Sequence, residues 1–184
     1  MILIGIPCSR FIFVKTAFSL TTILNAETKL VFQEGPYVHE NMNNIVAQAQ
    51  GCSHILFIDH DMVFEPQTLT KLLTHNKDIV GTAYNYRSLP LTTMVKEADE
   101  HGYIMPAKIP DHLFKCYGVP TGCLLVKTLV FEKLKKPYFF FEHGEQGEII
   151  TGQDILFCRN AQKAGFEIWC DPTIIINHIG DYLY

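Results

Sequence analysis

Two aspartates, Asp59 and Asp61, follow an apolar run and form the strongest chemical signal in the chain. The run, Ile-Leu-Phe-Ile at 55–58, is unbroken and strand-forming, which predicts a strand buried on both faces. In parallel sheets, ligands bind outside the carboxyl ends of the strands. An Asp-x-Asp at such an end offers hard oxygen ligands to a divalent cation that holds a phosphate. The alternative interpretation is that both aspartates are solvated turn residues.

Length and composition limit the kind of protein that carries this motif. The chain has 184 residues, of which 48% are hydrophobic and 18% charged, and this predicts one globular domain over residues 1–184. The formal net charge of −4 and the lack of a lysine or arginine run give no electrostatic footprint for nucleic acid. Nucleic acid is therefore not expected as a partner.

The apolar tracts are too short for a membrane span, because charges or turns interrupt them well before the ~20 residues required. The chain start lacks the basic region of a signal peptide, and Pro7 and Arg10 break its first apolar run. The six cysteines form no Cys-x-x-Cys pair and lie mostly in apolar segments, which is typical of free thiols in a reducing compartment. We expect a cytoplasmic protein.

Hydrophobic patterning predicts alternating strands and helices around the two aspartates. Strands are predicted at 1–7, 28–32, 54–58 and 78–83, with helices at 11–24, at 38–49 and from Pro66. This order favours an α/β fold in which helices flank a mainly parallel central sheet. Residues 84–110 are expected to form hairpins or an irregular excursion, and 142–150 a mobile loop.

The remaining residues predict further elements. These are two short strands within 113–126, a helix at 128–135, an extended segment at 138–141, a helix at 151–164, and closing strands at 166–170 and 173–177.

An ordered set of short motifs resembles a known family. After the first strand, which ends in Ile-Pro, come Leu-Phe-Ile-Asp-His-Asp at 56–61, Thr-Gly-Cys-Leu-Leu-Val at 121–126, Gly-Gln-Asp at 152–154, Ala-Gly-Phe at 164–166, Asp-Pro at 171–172 and His178. The set is similar to GT-A fold glycosyltransferases, especially compact family 2 enzymes from phages and bacteria, over about residues 2–179.

The resemblance implies a single-domain, GT-A-like nucleotide-diphospho-sugar transferase fold. It also implies metal-dependent transfer of a sugar, with inversion, from a UDP- or GDP-sugar donor to a glycan, lipid or protein acceptor. The bound metal would neutralise the charge that builds on the leaving phosphate.

By this resemblance, Asp61 binds the metal, Asp59 helps to hold the donor nucleotide, and His178 completes the metal site. His60, between the aspartates, belongs to the same donor-binding segment. Oxygen plus imidazole ligation favours Mn²⁺ over Mg²⁺. Further nucleotide-binding positions correspond here to Pro7, Cys8, Ser9 and Glu34. The alternative for His178 is a plain strand end.

The resemblance also makes Asp154 the base that takes the proton of the acceptor hydroxyl in inverting members. Gln153 stands where the family usually has a glutamate. Thr151-x-x-Asp154 is alternatively a capping-box-like helix start, in which Asp154 accepts from free backbone amides. Gly122 either lets the backbone approach the sugar or serves a tight turn, and Arg87 either meets a phosphate or is solvated.

Three alternative functions share parts of this pattern. A phosphatase of the haloacid dehalogenase type would use Asp59 as nucleophile and Asp61 as acid/base, but it normally starts its fold with this strand. A catalytically silent nucleotide-sugar-binding module is the second alternative. The third is a nucleotidyltransferase of related fold, although no Gly-rich, Lys-containing phosphate loop lies near the first strand.

Overall fold

A computed structural model describes residues 1–99, 102–106 and 108–180. In chain order its elements are β1 Ile2–Cys8, α1 Val14–Thr21, β2 Thr28–Glu34, α2 Val38–Ala47, β3 His54–Ile58, β4 Met62–Phe64, α3 Thr68–Thr74, β5 Ile79–Thr82, β6 Glu97–Asp99, β7 Gly102–Ile104, β8 Phe114–Lys115, β9 Cys123–Lys127, α4 Thr128–Lys133, β10 Glu142–His143, β11 Ile149–Thr151, α5 Gln153–Lys163, β12 Ile168–Asp171 and β13 Ile176–His178.

A seven-stranded mixed sheet in the order β2-β1-β3-β9-β5-β12-β8 forms the centre of the fold. Strand β1 is parallel to β2 and β3, and β12 is parallel to β5. Strand β9 is antiparallel to its neighbours β3 and β5, and β8 is antiparallel to β12. The predicted α/β domain with a central sheet and helices is confirmed. The later strands β8 and β9 make the sheet mixed.

Two hydrophobic clusters cover the two faces of the sheet. Residues of β1 and β3 alternate between them: Leu3 and Phe57 belong to one cluster, and Ile4 and Leu56 to the other. Residues 55–58 are each 0% exposed, so the prediction of a strand buried on both faces is confirmed. Asp59 and Asp61 leave this buried strand at its carboxyl end.

Several local predictions were wrong in detail. Helix α1 begins three residues later than predicted, and α3 begins at Thr68 because Pro66 lies in the preceding turn. Residues 138–141 belong to no strand, and the predicted loop at 142–150 contains strand residues of the hairpin β10–β11. Strand β4 was not predicted at all. It pairs with β13, a long-range partner that local periodicity does not encode.

Three broader predictions concern residues 84–110, the cysteines and membrane-spanning helices. The hairpin β6–β7 falls within the predicted excursion at 84–110, whose residues 100, 101 and 107 lie outside the described residues. The six cysteines are free and buried. In the described part of the chain, no helix is long and apolar enough to cross a membrane.

Candidate functional site

The carboxyl ends of β1 and β3 open into a cleft of about 320 Å³. The cleft brings together most of the predicted site residues, namely Pro7, Cys8, Ser9, Asp59, His60, Asp61 and His178. Glu34 is exposed at the end of β2, where it pairs with Cys8 in the sheet register, and it is not part of the described lining. Asp154 is also outside that lining, although its neighbour Gln153 contributes to it.

The tip of β1 is held by Asn41 of α2, a residue that is 3% exposed. Its Nδ2 donates to the carbonyl oxygens of Cys8 at 3.2 Å and Gly35 at 2.9 Å. A Cβ atom at Gly35 would lie only 2.3 Å from the Asn41 side-chain oxygen. The amide therefore fixes the ends of β1 and β2 relative to each other and shapes one wall of the cleft.

Asp61 is 2% exposed, and only one of its two carboxylate oxygens has a hydrogen-bond partner among the described residues. Its Oδ2 accepts a hydrogen bond from Arg87 Nη1 at 2.9 Å and lies 3.3 Å from His178 Nε2. Its Oδ1 is buried and lacks a hydrogen-bond partner among the described residues. A buried polar atom without a partner costs about 1–3 kcal/mol, so Oδ1 is a candidate ligand atom.

Electrostatics keep Asp61 ionised. Burial alone would raise its pKa, but the hydrogen bond and charge of His178, with the charges of His60 and Arg87, lower the pKa below its usual value. The carboxylate is therefore available as an anionic oxygen ligand at neutral pH.

Asp59 has the opposite electrostatic balance. Burial first, and the negative charge of Asp61 second, raise the pKa of Asp59 to about 7. The negative charge of Asp154 raises the pKa of Asp59 further, which indicates that the three carboxylates interact electrostatically. A neighbouring cation would relieve this repulsion.

Gly122 is required by packing against this cluster. A Cβ atom there would lie 2.3 Å from Tyr84 Oη, 2.5 Å from Met62 Cε and 2.9 Å from Asp59 Oδ2. The Gly122 backbone N–H donates to Tyr84 Oη at 2.8 Å. The space that a side chain at residue 122 would occupy is thus filled by the protein's own atoms. This packing requirement for glycine differs from both sequence interpretations, which were approach to the sugar and a tight turn.

His178 reaches Asp61 through the pairing of β13 with β4, which sets His178 opposite Met62. The backbone N–H of Ile179 also donates to the carbonyl oxygen of Asp61 at 2.8 Å. His178 Nδ1 lies 3.2 Å from the carbonyl oxygen of Asn85. With Nδ1 donating to that carbonyl, Nε2 is the nitrogen that faces Asp61, where it donates a hydrogen bond and would have to lose its proton to become a metal ligand.

The cleft contains few side chains that could ligate a divalent metal. In the part of the chain that the structure describes, no group of three or more His, Cys, Asp or Glu side chains is arranged to hold a metal ion. Asp61 and His178 supply one carboxylate and one imidazole, and Asp61 Oδ1 lacks a described partner. The protein therefore supplies two side chains of the oxygen and imidazole types that divalent metals accept, fewer than a complete coordination shell requires.

Asp154 is the second residue of α5, whose N-cap is Gly152. The capping-box interpretation is wrong for Thr151, which lies in β11 and donates its hydroxyl to Glu142 Oε2 at 2.7 Å, but the predicted role of Asp154 as an acceptor for a free backbone amide is confirmed. Asp154 Oδ1 accepts from the backbone N–H of Ile155 at 2.8 Å. Burial raises the pKa of Asp154, and hydrogen bonds from backbone amides oppose that rise.

Two basic residues of the site were missed or left aside by sequence reasoning. Lys96 is only 8% exposed, its Nζ donates to Tyr86 Oη at 3.2 Å, and its charge opposes the rise in the pKa of Asp154. Arg87 pairs with Asp61 and lines the cleft. Both lie in the segment at 84–110, where prolines and a glycine separate short alternating pieces such as 92–96 that are too brief to show which side chains face the site.

Comparisons with known proteins concern the fold alone. No protein-family model and no curated protein matches the chain. The crystal structure of A197 from STIV matches with a TM-score of 0.70 and 16% identity, over 98% of this chain and 86% of that chain. The crystal structure of apo UDP-glucose pyrophosphorylase matches with a TM-score of 0.50 and 11% identity, over 96% of this chain and 75% of that chain. The chain is thus distantly similar in fold to a nucleotide-sugar enzyme.

Proposed function

We propose that residues 1–184 form one GT-A-like domain that acts as a metal-dependent, inverting glycosyltransferase on a UDP- or GDP-sugar. The observation that carries the proposal is the Asp61 carboxylate, which is buried beside His178 and Arg87 with one oxygen unpartnered. It lies at the carboxyl ends of parallel strands, where nucleotides bind in α/β sheets. The distant likeness to a UDP-glucose pyrophosphorylase supports a nucleotide-sugar ligand.

In this proposal Asp61 and His178 hold Mn²⁺ or Mg²⁺, which when bound would neutralise charge on the leaving diphosphate. Arg87, whose side chain is 52% exposed, turns its guanidinium from Asp61 toward a phosphate. Pro7, Cys8 and Ser9 border the nucleotide at the tip of β1, a wall that Asn41 keeps in place. Asp59 and His60 border it from the loop after β3.

Asp154 is the proposed base. It accepts the proton of the acceptor hydroxyl while that oxygen bonds to the anomeric carbon and the bond from this carbon to the diphosphate breaks. Its pKa, raised by burial and restrained by the charge of Lys96, suits this role. The acceptor is a glycan, lipid or protein group that enters beside Gln153, the cleft-lining neighbour of Asp154.

Two competing functions use the same cleft. A pyrophosphorylase reaction is favoured by the likeness to UDP-glucose pyrophosphorylase, and it would consume a nucleoside triphosphate and a sugar phosphate. A dehalogenase-type phosphatase is disfavoured, because that fold normally starts with the strand that precedes the two aspartates, whereas β1 and β2 come before β3 here.

Calorimetric titration of UDP and GDP, with and without Mn²⁺, tests the proposal. We expect one nucleotide to bind in a Mn²⁺-dependent manner, and Asp61→Asn to weaken that binding about 100-fold or more, since the substitution removes the anionic ligand. The matched control is Asp111→Asn, which removes the same charge from a side chain that is 101% exposed.

Product analysis then separates the functions. Metal-dependent release of UDP or GDP from the sugar nucleotide supports transfer, since water replaces the missing acceptor. Pyrophosphate release from a nucleoside triphosphate and a sugar phosphate would instead identify a nucleotidyltransferase. Nucleotide binding without any turnover would indicate a silent module, and no binding by the folded protein would contradict the proposed donor site.

A further inference from the structure

Helix α1 carries large apolar side chains on its outside, whereas its buried side combines Leu20 with two small polar residues. Thr16 is 0% exposed and Ser19 is 4% exposed, and Ser19 Oγ accepts from the backbone N–H of Phe64 at 3.2 Å. On the outer side, Val14 is 85% and Phe18 is 72% exposed. A surface helix that meets only water has the reverse distribution. The outer face of α1 therefore has the apolar composition of a binding surface.

Val14 and Phe18 on this outer face, together with Phe11 three residues before the helix, form an exposed apolar surface called here the α1 stripe. Val14 and Phe18 are four residues apart and so lie on one side of α1, and Phe11 is 58% exposed. The Phe11 ring lies 5.7 Å from the ring of His60, which lines the cleft. The stripe therefore begins beside the mouth of the cleft and continues along α1.

The charge around the α1 stripe differs from that of the whole chain. Residues 9–24 include Arg10 and Lys15 and contain no aspartate or glutamate, whereas the chain has a formal net charge of −4. Both basic side chains are exposed. Basic side chains beside an apolar helix face are typical of helices that lie in the surface of an anionic membrane, with the charged heads near the lipid phosphates.

A second copy of the chain fits the α1 stripe less well. The three exposed side chains offer roughly 400 Å² of apolar surface, about half of the ~800 Å² per partner in stable protein interfaces. A symmetric pairing would also bring the Arg10 and Lys15 charges of two copies together. Area and charge thus both favour a lipid surface.

We propose that the α1 stripe, flanked by Arg10 and Lys15, docks the protein on an anionic lipid surface with the mouth of the cleft beside it. The contact is peripheral, since α1 has only eight residues. The proposal concerns binding and does not depend on the reaction carried out in the cleft.

Vesicle flotation tests the docking with the full chain. We expect the protein to float with vesicles of phosphatidylglycerol and phosphatidylcholine, and far less with pure phosphatidylcholine. Val14→Ser with Phe18→Ser reduces partitioning at least about tenfold, because it removes the buried apolar area. Arg10→Gln with Lys15→Gln gives a similar loss on anionic vesicles only.

The matched control is Ile149→Ser with Ile150→Ser, which removes two apolar side chains that are 59% and 57% exposed elsewhere. This variant should float like the wild type, and thermal melts should show that each variant is folded. Wild type that stays unbound to anionic vesicles would overturn the proposal, as would full binding by the Val14/Phe18 variant.

A fluorescence measurement distinguishes lipid from a second copy. In a Trp169→Phe background, Phe18→Trp becomes the sole tryptophan, and brominated lipid should quench it when vesicles are added. Absence of quenching would overturn insertion of the stripe. A vesicle-independent dimer that the Val14/Phe18 variant abolishes would likewise overturn the proposal, and would assign the face to self-association.

Discussion

Two buried aspartates at strand ends, Asp61 and Asp171, each lie against a histidine. The two pairs differ in how many of the carboxylate oxygens have hydrogen-bond partners. Asp171, the last residue of β12, is 3% exposed, and Asp61, after β3, is 2% exposed. Oδ1 of Asp171 accepts from Thr173 N at 2.8 Å and Thr173 Oγ1 at 2.7 Å, and Oδ2 lies 2.7 Å from His75 Nε2. Both of its oxygens are partnered, whereas Oδ1 of Asp61 lacks a described partner.

The surrounding charges sharpen the difference between the pairs. Burial opposes ionisation of Asp171, but hydrogen bonds from Thr173 and His75 lower its pKa below the usual value. Asp61 raises the pKa of its neighbour Asp59 by repulsion and stands beside Arg87 in the cleft. The same two residue types thus build a closed structural pair in one place and an incomplete, ligand-ready pair in the other.

The largest expected contrast concerns stability. Asp171→Asn should lower the free energy of unfolding by about 2 kcal/mol, because it weakens a buried charge-assisted hydrogen-bond network. Asp61→Asn should change it by less than about 1 kcal/mol, since the loss of pairing is offset by relief of repulsion with Asp59. Urea unfolding at pH 7 in the presence of a chelator measures both, and equal losses would break the comparison.

The histidine partners should separate the pairs by function. His178→Gln is expected to weaken Mn²⁺-dependent nucleotide binding about tenfold, because it removes the proposed nitrogen ligand. His75→Gln should leave that binding unchanged and lower stability by about 1 kcal/mol, as expected for one lost hydrogen bond. Calorimetry and urea unfolding of both variants decide the matter, and a binding defect in His75→Gln would contradict the structural role.

The smallest expected effect is on pH dependence. The pKa of Asp171 is lower in the folded protein than in the unfolded chain, so its stabilising contribution is present above the ordinary carboxyl pKa. That contribution is lost as the pH falls through the folded-state pKa. The stability gap between wild type and Asp171→Asn should therefore shrink between about pH 5 and pH 2. Paired unfolding curves at each pH test this, and a constant gap would contradict it.

Helix α1 shows why local pattern predicts an element better than its orientation. The spacing of Phe11, Val14 and Phe18 predicts a helix that includes all three, whereas α1 begins at Val14 and all three side chains are exposed. Helical periodicity identifies an apolar face but does not say what covers it. Thr16 and Ser19 face the protein instead, because the connection from β1 to β2 sets the rotation of α1.

The site shows the same limit. The end of β3 and its two aspartates were predictable, because a buried strand and the polar residues after it are adjacent in the chain. Arg87 and Lys96 were not assigned to the site, since they lie in an irregular segment without periodicity. Thr151 does not cap α5, because the hairpin β10–β11 takes it away from the helix start, whereas Asp154 accepts from a free backbone amide of the first turn as the sequence predicts.

The sequence by itself determined an α/β fold, a doubly buried β3, and a pair of carboxylates at its end, because these follow from residues within one local stretch. The family resemblance grouped His178 with Asp61, but only the tertiary structure shows that these two side chains are in contact and that His75 meets Asp171. Those contacts depend on the pairing of β13 with β4 and of β12 with β5, and strand pairing joins residues far apart in the chain. The incomplete pair and the closed pair therefore became distinguishable only when the sheet was assembled.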